Sequence, residues 1–125
     1  MNEAIREVLG EAGAPPLPEP LAGSIVDSHT HLDTVQDVVG IEPAISLAAA
    51  REVGVTRIAQ IGCDVAGSEF AEELARTHKN VIAAVAIHPN DAARLGRKKI
   101  GDALKRIDEL ANVGNHVRAI GETGI

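Results

Sequence analysis

From Ser24 onward, short aliphatic runs alternate with amphipathic segments along the chain. The runs at 24–28, 55–61, 81–87 and 117–120 are β-branched and apolar, as buried strands require. Between them apolar positions recur at helical spacing. Glu42-Pro43 opens one helix, with proline in the tolerated first turn, and Gly54 closes it. Ser68 is the expected cap of the next, with Glu69, Glu72 and Glu73 near its positive end and His78 and Lys79 near its negative end. The third carries Ile100, Leu104, Ile107 and Ala111 on one stripe and stops at Gly114. Upstream, residues 1–13 predict a short helix. Residues 13–23, with Pro15, Pro16, Pro18 and Pro20, cannot continue it. The organisation expected is a helical and proline-rich leader over 1–23 and a folded domain over 24–125.

Strands that begin every 26 to 36 residues, with helices between, predict right-handed crossovers and a parallel sheet. A dinucleotide-binding sheet is disfavoured, because the first strand leads into His-Thr-His where a phosphate loop needs glycines. The polar chemistry instead collects after each strand: His29 and His31, Gly62-Cys63-Asp64, His88-Pro89-Asn90-Asp91, and Gly121-Glu122. Reactive residues at the C-terminal ends of parallel strands are the habit of the (β/α)8 barrel. Eight units need roughly 250 residues. The expectation is therefore an α/β chain forming the N-terminal half of a TIM-type barrel, four parallel strands with intervening helices.

In Asp27-Ser28-His29-Thr30-His31-Leu32-Asp33, strand alternation sends Asp27, His29, His31 and Asp33 to one side. Two imidazoles flanked by carboxylates suit a divalent metal better than a turn without ligands. His88 and Glu122, taken singly, are weak signals. The order His-x-His, His-Pro, Gly-Glu at successive strand ends is a strong one. His78 and His116 read as structural or surface groups, and Cys63 as a small residue in a strand-end turn.

Composition narrows the function. The net charge of −6 argues against a broadly basic nucleic-acid surface, and one Phe with no Tyr or Trp removes base-stacking platforms. A single cysteine excludes an internal disulfide and fits a reducing compartment. With no secretory signal and no apolar run of membrane-spanning length, a cytoplasmic protein without membrane partners is expected. The cluster Arg94, Arg97, Lys98 and Lys99 reads first as a solvated helix start, with an auxiliary phosphate contact as the sharper alternative.

The motifs around His29 and His31, Ile61-Gly62-Cys63-Asp64, Ile87-His88-Pro89 and Ala119-Ile120-Gly121-Glu122-Thr123-Gly124 together resemble the TatD-type metal-dependent deoxyribonucleases. The resemblance runs from about residue 24 to the last residue. It implies a barrel hydrolase that cleaves DNA or another phosphodiester with two divalent ions, Zn, Mn or Mg. By residue it makes His29, His31 and Glu122 metal ligands, with Glu122 shared by both ions. It places His88 beside the substrate phosphate, so that Glu122 and His88 form the catalytic pair, and it gives Asp33 a supporting role. Competing readings are a barrel metallohydrolase acting on a carboxylic ester or amide, a phosphatase-type His-x-His barrel, and a non-catalytic truncated half-barrel.

Further ligands of that family lie on strands that would follow Ile125, so the chain reads as a fragment. An open half-barrel leaves strand edges and apolar surface uncovered. The isolated polypeptide is expected to self-associate, to retain metal weakly and to show negligible deoxyribonuclease activity with added Mn²⁺ or Mg²⁺. Robust turnover by a verified monomer would contradict this.

Overall fold

A computed structural model describes residues 3–124. Elements follow in the order α1 Glu3–Glu11, β1 Ile25–Thr30, α2 Leu32–Val39, α3 Pro43–Glu52, β2 Val55–Ile61, α4 Val65–Thr77, β3 Val81–Val85, α5 Pro89–Ala111 and β4 Val117–Ile120. Four parallel strands alternate with helices in a single sheet of order β1-β2-β3-β4. Sequential order with parallel strands is what successive right-handed crossovers build, and it is consistent with the first half of a TIM barrel.

The chain divides into two compact units, Met1–Asp27 with His31–Arg57, and Ser28–Thr30 with Ile58–Ile125. In the first, α1 buries Ile5 and Leu9 in a cluster with Ile41 and Ala49, and Leu17 of the proline-rich stretch packs on it. The leader is extended, as its prolines require, but held: Leu21 N donates to Val53 O at 3.0 Å, and Ile25 N to Gly54 O at 2.9 Å.

In the second unit, residues 58–61 of β2 are buried, and so is all of β3 except Ile82. Val85 and Ile87 pack with Ala103, Ile107 and Leu110 of α5, while Ala84 packs with Ala59 and Ile61 of β2. The β2–β3 register pairs Ile58 with Val81 through Ile61 with Ala84, and the β3–β4 pairing shifts between Ala83 and Ala84. Beyond the regular ladders, backbone bonds continue across the strand ends. Gly62 N donates to Ala84 O at 2.9 Å, Gly121 N to Val85 O at 3.2 Å, and His88 N to Cys63 O at 2.7 Å. These bonds hold the residues after β2, β3 and β4 in one tier.

Four local expectations are corrected. The first strand ends at Thr30, so the strand face of His29 takes in neither His31 nor Asp33. Asp33 lies in the first turn of α2, where a carboxylate complements the helix dipole. Helix α2 itself was not expected. Asp64, not Ser68, caps α4: its carboxylate accepts from Gly67 N at 2.6 Å. Ser68 is fully buried, and its hydroxyl bonds Ala86 O at 3.2 Å and Ala86 N at 3.1 Å. Helix α5 begins at Pro89 and buries Ala103, Ile107 and Leu110, leaving Leu104 52% exposed.

The helix-to-sheet approach is closest at Gly62. A Cβ there would lie 2.6 Å from Ser68 Cα and 2.7 Å from Ser68 N, backbone atoms that cannot swing aside. Gly62→Ala is expected to destabilise the protein by about 1–3 kcal/mol. Urea denaturation of the full chain measures it, and an unchanged midpoint would contradict the packing described.

Candidate metal centre

Each residue of the candidate centre is delivered by a strand end. His29 is the fifth of six residues in β1. Cys63 and Glu122 each stand two residues beyond the last residue of β2 and β4, and His88 stands three beyond that of β3. In parallel strands these positions share one rim. His29, Cys63, His88 and Glu122 all belong to the second unit.

There Glu122 is the hub. Its Oε2 lies 3.3 Å from His29 Nε2, and its Oε1 accepts from the Cys63 thiol at 3.3 Å. The two carboxylate oxygens thus face different partners. Half of the His29 side chain and about a third of that of Glu122 are open to solvent, with relative exposures of 50% and 35%.

The spacing bears on the chemistry. A charge-assisted hydrogen bond between imidazolium and carboxylate closes to about 2.7–2.9 Å. Two ligands about 2.05 Å from one tetrahedral ion stand about 3.3 Å apart. The separation of 3.3 Å between His29 Nε2 and Glu122 Oε2 is close enough for both atoms to reach one ion. Imidazole nitrogen and carboxylate oxygen are also a donor set shared by Zn and Mn sites. The residues present fit a divalent cation.

His31 follows β1 by one residue and is the N-cap position of α2, in the first unit; its imidazole does not cap that helix. His88 occupies the equivalent position before α5, and its Nδ1 accepts from Asn90 N at 3.1 Å. An imidazole whose Nδ1 accepts is left with Nε2 as its possible donor.

The remaining histidines are used elsewhere. His78 ends α4 with Nδ1 3.2 Å from Leu74 O, and His116 Nε2 lies 2.9 Å from Glu72 Oε1. Cys63 was missed as a participant. Its position after β2, matching His88 and Glu122 after their strands, was the signal that could have found it.

Residues 26–125 match the family model described as TatD related DNase. The chain belongs to the TatD family. It is also 35% identical over 105 residues to a protein of Mycobacterium tuberculosis (strain ATCC 25618 / H37Rv) described as "Uncharacterized metal-dependent hydrolase TatD". That alignment covers 81% of this chain and 36% of the relative, so the chain spans about a third of the length of the curated relative it matches. The matched region begins at Val26 and takes in every strand end that carries a candidate ligand, which places the rim inside the TatD family's domain. Among the described residues no helix is long and apolar enough to cross a membrane.

Proposed function

We propose that this chain carries the first metal-binding half of a metal-dependent phosphodiester hydrolase, with DNA as the substrate class. The observation that carries the reading is the His29–Glu122 pair on the strand-end rim, close enough for both to reach one ion. His31, two residues along the chain from His29 in the His-x-His motif, would supply a third ligand. A bound divalent cation, Zn, Mn or Mg, supplies Lewis-acid polarisation and a water of lowered pKa. Two such ions suit a carboxylate whose oxygens are turned to separate partners, and Glu122 has that form.

The residues divide the remaining work. Neutral imidazoles at His29 and His31 leave the positive charge of an ion largely uncancelled, which favours an anionic ester over a neutral one. The Cys63 thiol holds Glu122 Oε1 and so keeps Oε2 toward His29, as partners of metal ligands commonly do. His88, its Nδ1 occupied by Asn90 N, offers Nε2–H to a phosphate oxygen and acts in catalysis without ligating metal. Cys63 as the chain's single cysteine suits a reducing, cytoplasmic setting.

Calorimetric titration with Zn²⁺, followed by diphenyl phosphate or N-acetylglycine, tests this on the full chain. The zinc-loaded protein is expected to bind the phosphodiester at least about tenfold more tightly, a difference of about 1.4 kcal/mol. His88→Ala should remove most of that preference while leaving Zn²⁺ affinity unchanged. Preference for the carboxylate would favour the ester or amide hydrolase. Loss of zinc binding in His88→Ala would make His88 a ligand instead.

A further inference from the structure

Four of the chain's 12 lysines and arginines fall within residues 94–99, although the net charge is −6. Helix α5 is interrupted there by Gly96, whose φ of 70° and ψ of 176° lie outside helical geometry and favour glycine. The interruption sets Arg94, before it, and Lys99, after it, on the wall of one surface cavity of about 290 Å³. Val65 and Leu95 supply apolar wall, and Asp64 and Asp91 the acidic part.

Both carboxylates are already engaged. Asp64 accepts from Gly67 N at 2.6 Å, and Asp91 pairs with Arg94 at 3.1 Å. Arg97, Lys98 and Lys99 are exposed, and none has an ion pair or side-chain hydrogen bond among the described residues. Their neighbours therefore do not explain them, and local stability does not either. They follow the point where the helix resumes, and cations at the start of a helix oppose its dipole. Elsewhere on the same helix, Arg106 is satisfied by Glu69 at 2.8 Å and Glu109 at 3.1 Å, which raise its pKa. What sets 97–99 apart from the other unpaired cations is that three stand consecutively, a local basic cluster on an acidic chain.

We propose that Arg97, Lys98 and Lys99, beside the cavity walled by Arg94 and Lys99, dock the phosphate backbone of a nucleic-acid strand. The proposal rests on the phosphodiester reading above and adds a contact surface apart from the metal ligands. Helix α5 starts directly after His88, so a strand held there continues from the side of the rim that His88 occupies. With one aromatic residue in the chain, base stacking contributes little. Recognition is then through phosphates, independent of base sequence and strongly dependent on salt.

Fluorescence anisotropy of a labelled single-stranded oligonucleotide, titrated with full chain in EDTA over a series of salt concentrations, tests this without metal or turnover. Triple replacement R97Q/K98Q/K99Q is expected to lower the slope of log affinity against log salt by about 2, three phosphate contacts at about 0.7 each. At low salt the same variant should bind on the order of tenfold more weakly or worse. Circular dichroism and an unchanged thermal midpoint establish that it is folded, as expected for exposed side chains. Lys105→Gln, outside the patch on the same helix, should change neither quantity. Poly-glutamate of matched length should compete poorly. An unchanged slope in the triple variant, an equal loss in Lys105→Gln, or equal competition by poly-glutamate would each overturn the proposal. Because no metal takes part, such a failure would leave the metal-centre reading standing.

Discussion

The rim of this protein depends on one close approach between helix and sheet. Gly62 comes so near Ser68 that a methyl group at residue 62 would overlap the backbone of α4. The same approach buries the Ser68 hydroxyl, which then bonds both the N–H and the carbonyl of Ala86. A buried serine with two such partners offsets its desolvation and ties α4 to the segment after β3. Gly62 N, meanwhile, bonds Ala84 O and extends the β2–β3 ladder past the end of β2. Cys63 follows at once, its carbonyl taking the amide of His88 and its thiol the carboxylate of Glu122. Packing thus fixes where the chemistry stands, within a few residues of the contact.

The strands were legible because their aliphatic runs are short, β-branched and bounded by polar turns. Their ends shifted, β1 to Ile25–Thr30 and β3 to Val81–Val85, and β1 and β4 are largely exposed where buried strands were expected. The α2 helix was hidden because an alternating pattern through Asp33 overlaps the start of a helical one carrying Leu32 and Val35. A strand face and a helix cap both accept the polar residues there. Asp64 and Ser68 are both residues that cap helices, so composition could not choose between them. What decided was tertiary: a buried backbone group at Ala86 needed the hydroxyl. On α5, Ala103 and Leu104 are adjacent and both apolar, so two stripes fit the spacing equally. The one through Ala103, Ile107 and Leu110 faces the core.

The site was legible to a different degree. His29 and Glu122 could be named because strand ends concentrate function in parallel folds, and the structure brings them to 3.3 Å. The role of Cys63 was not legible, since a lone thiol carries no periodicity and its partner lies 59 residues away along the chain. Under the proposed function, electrostatics lets an acidic protein attract an anionic ester. The imidazoles add no negative charge to the centre, and the basic cluster at 97–99 is local rather than spread over the surface.

The most direct measurement of the central claim, that imidazole and carboxylate at the strand ends hold the metal, is X-ray absorption at the zinc edge of the zinc-loaded full chain. Nitrogen and oxygen neighbours at about 2.0–2.1 Å, with the outer-shell scattering of imidazole, are the predicted result. A sulfur neighbour at about 2.3 Å would make Cys63 the ligand, and a spectrum without imidazole scattering would remove His29 from the centre; either would contradict the claim.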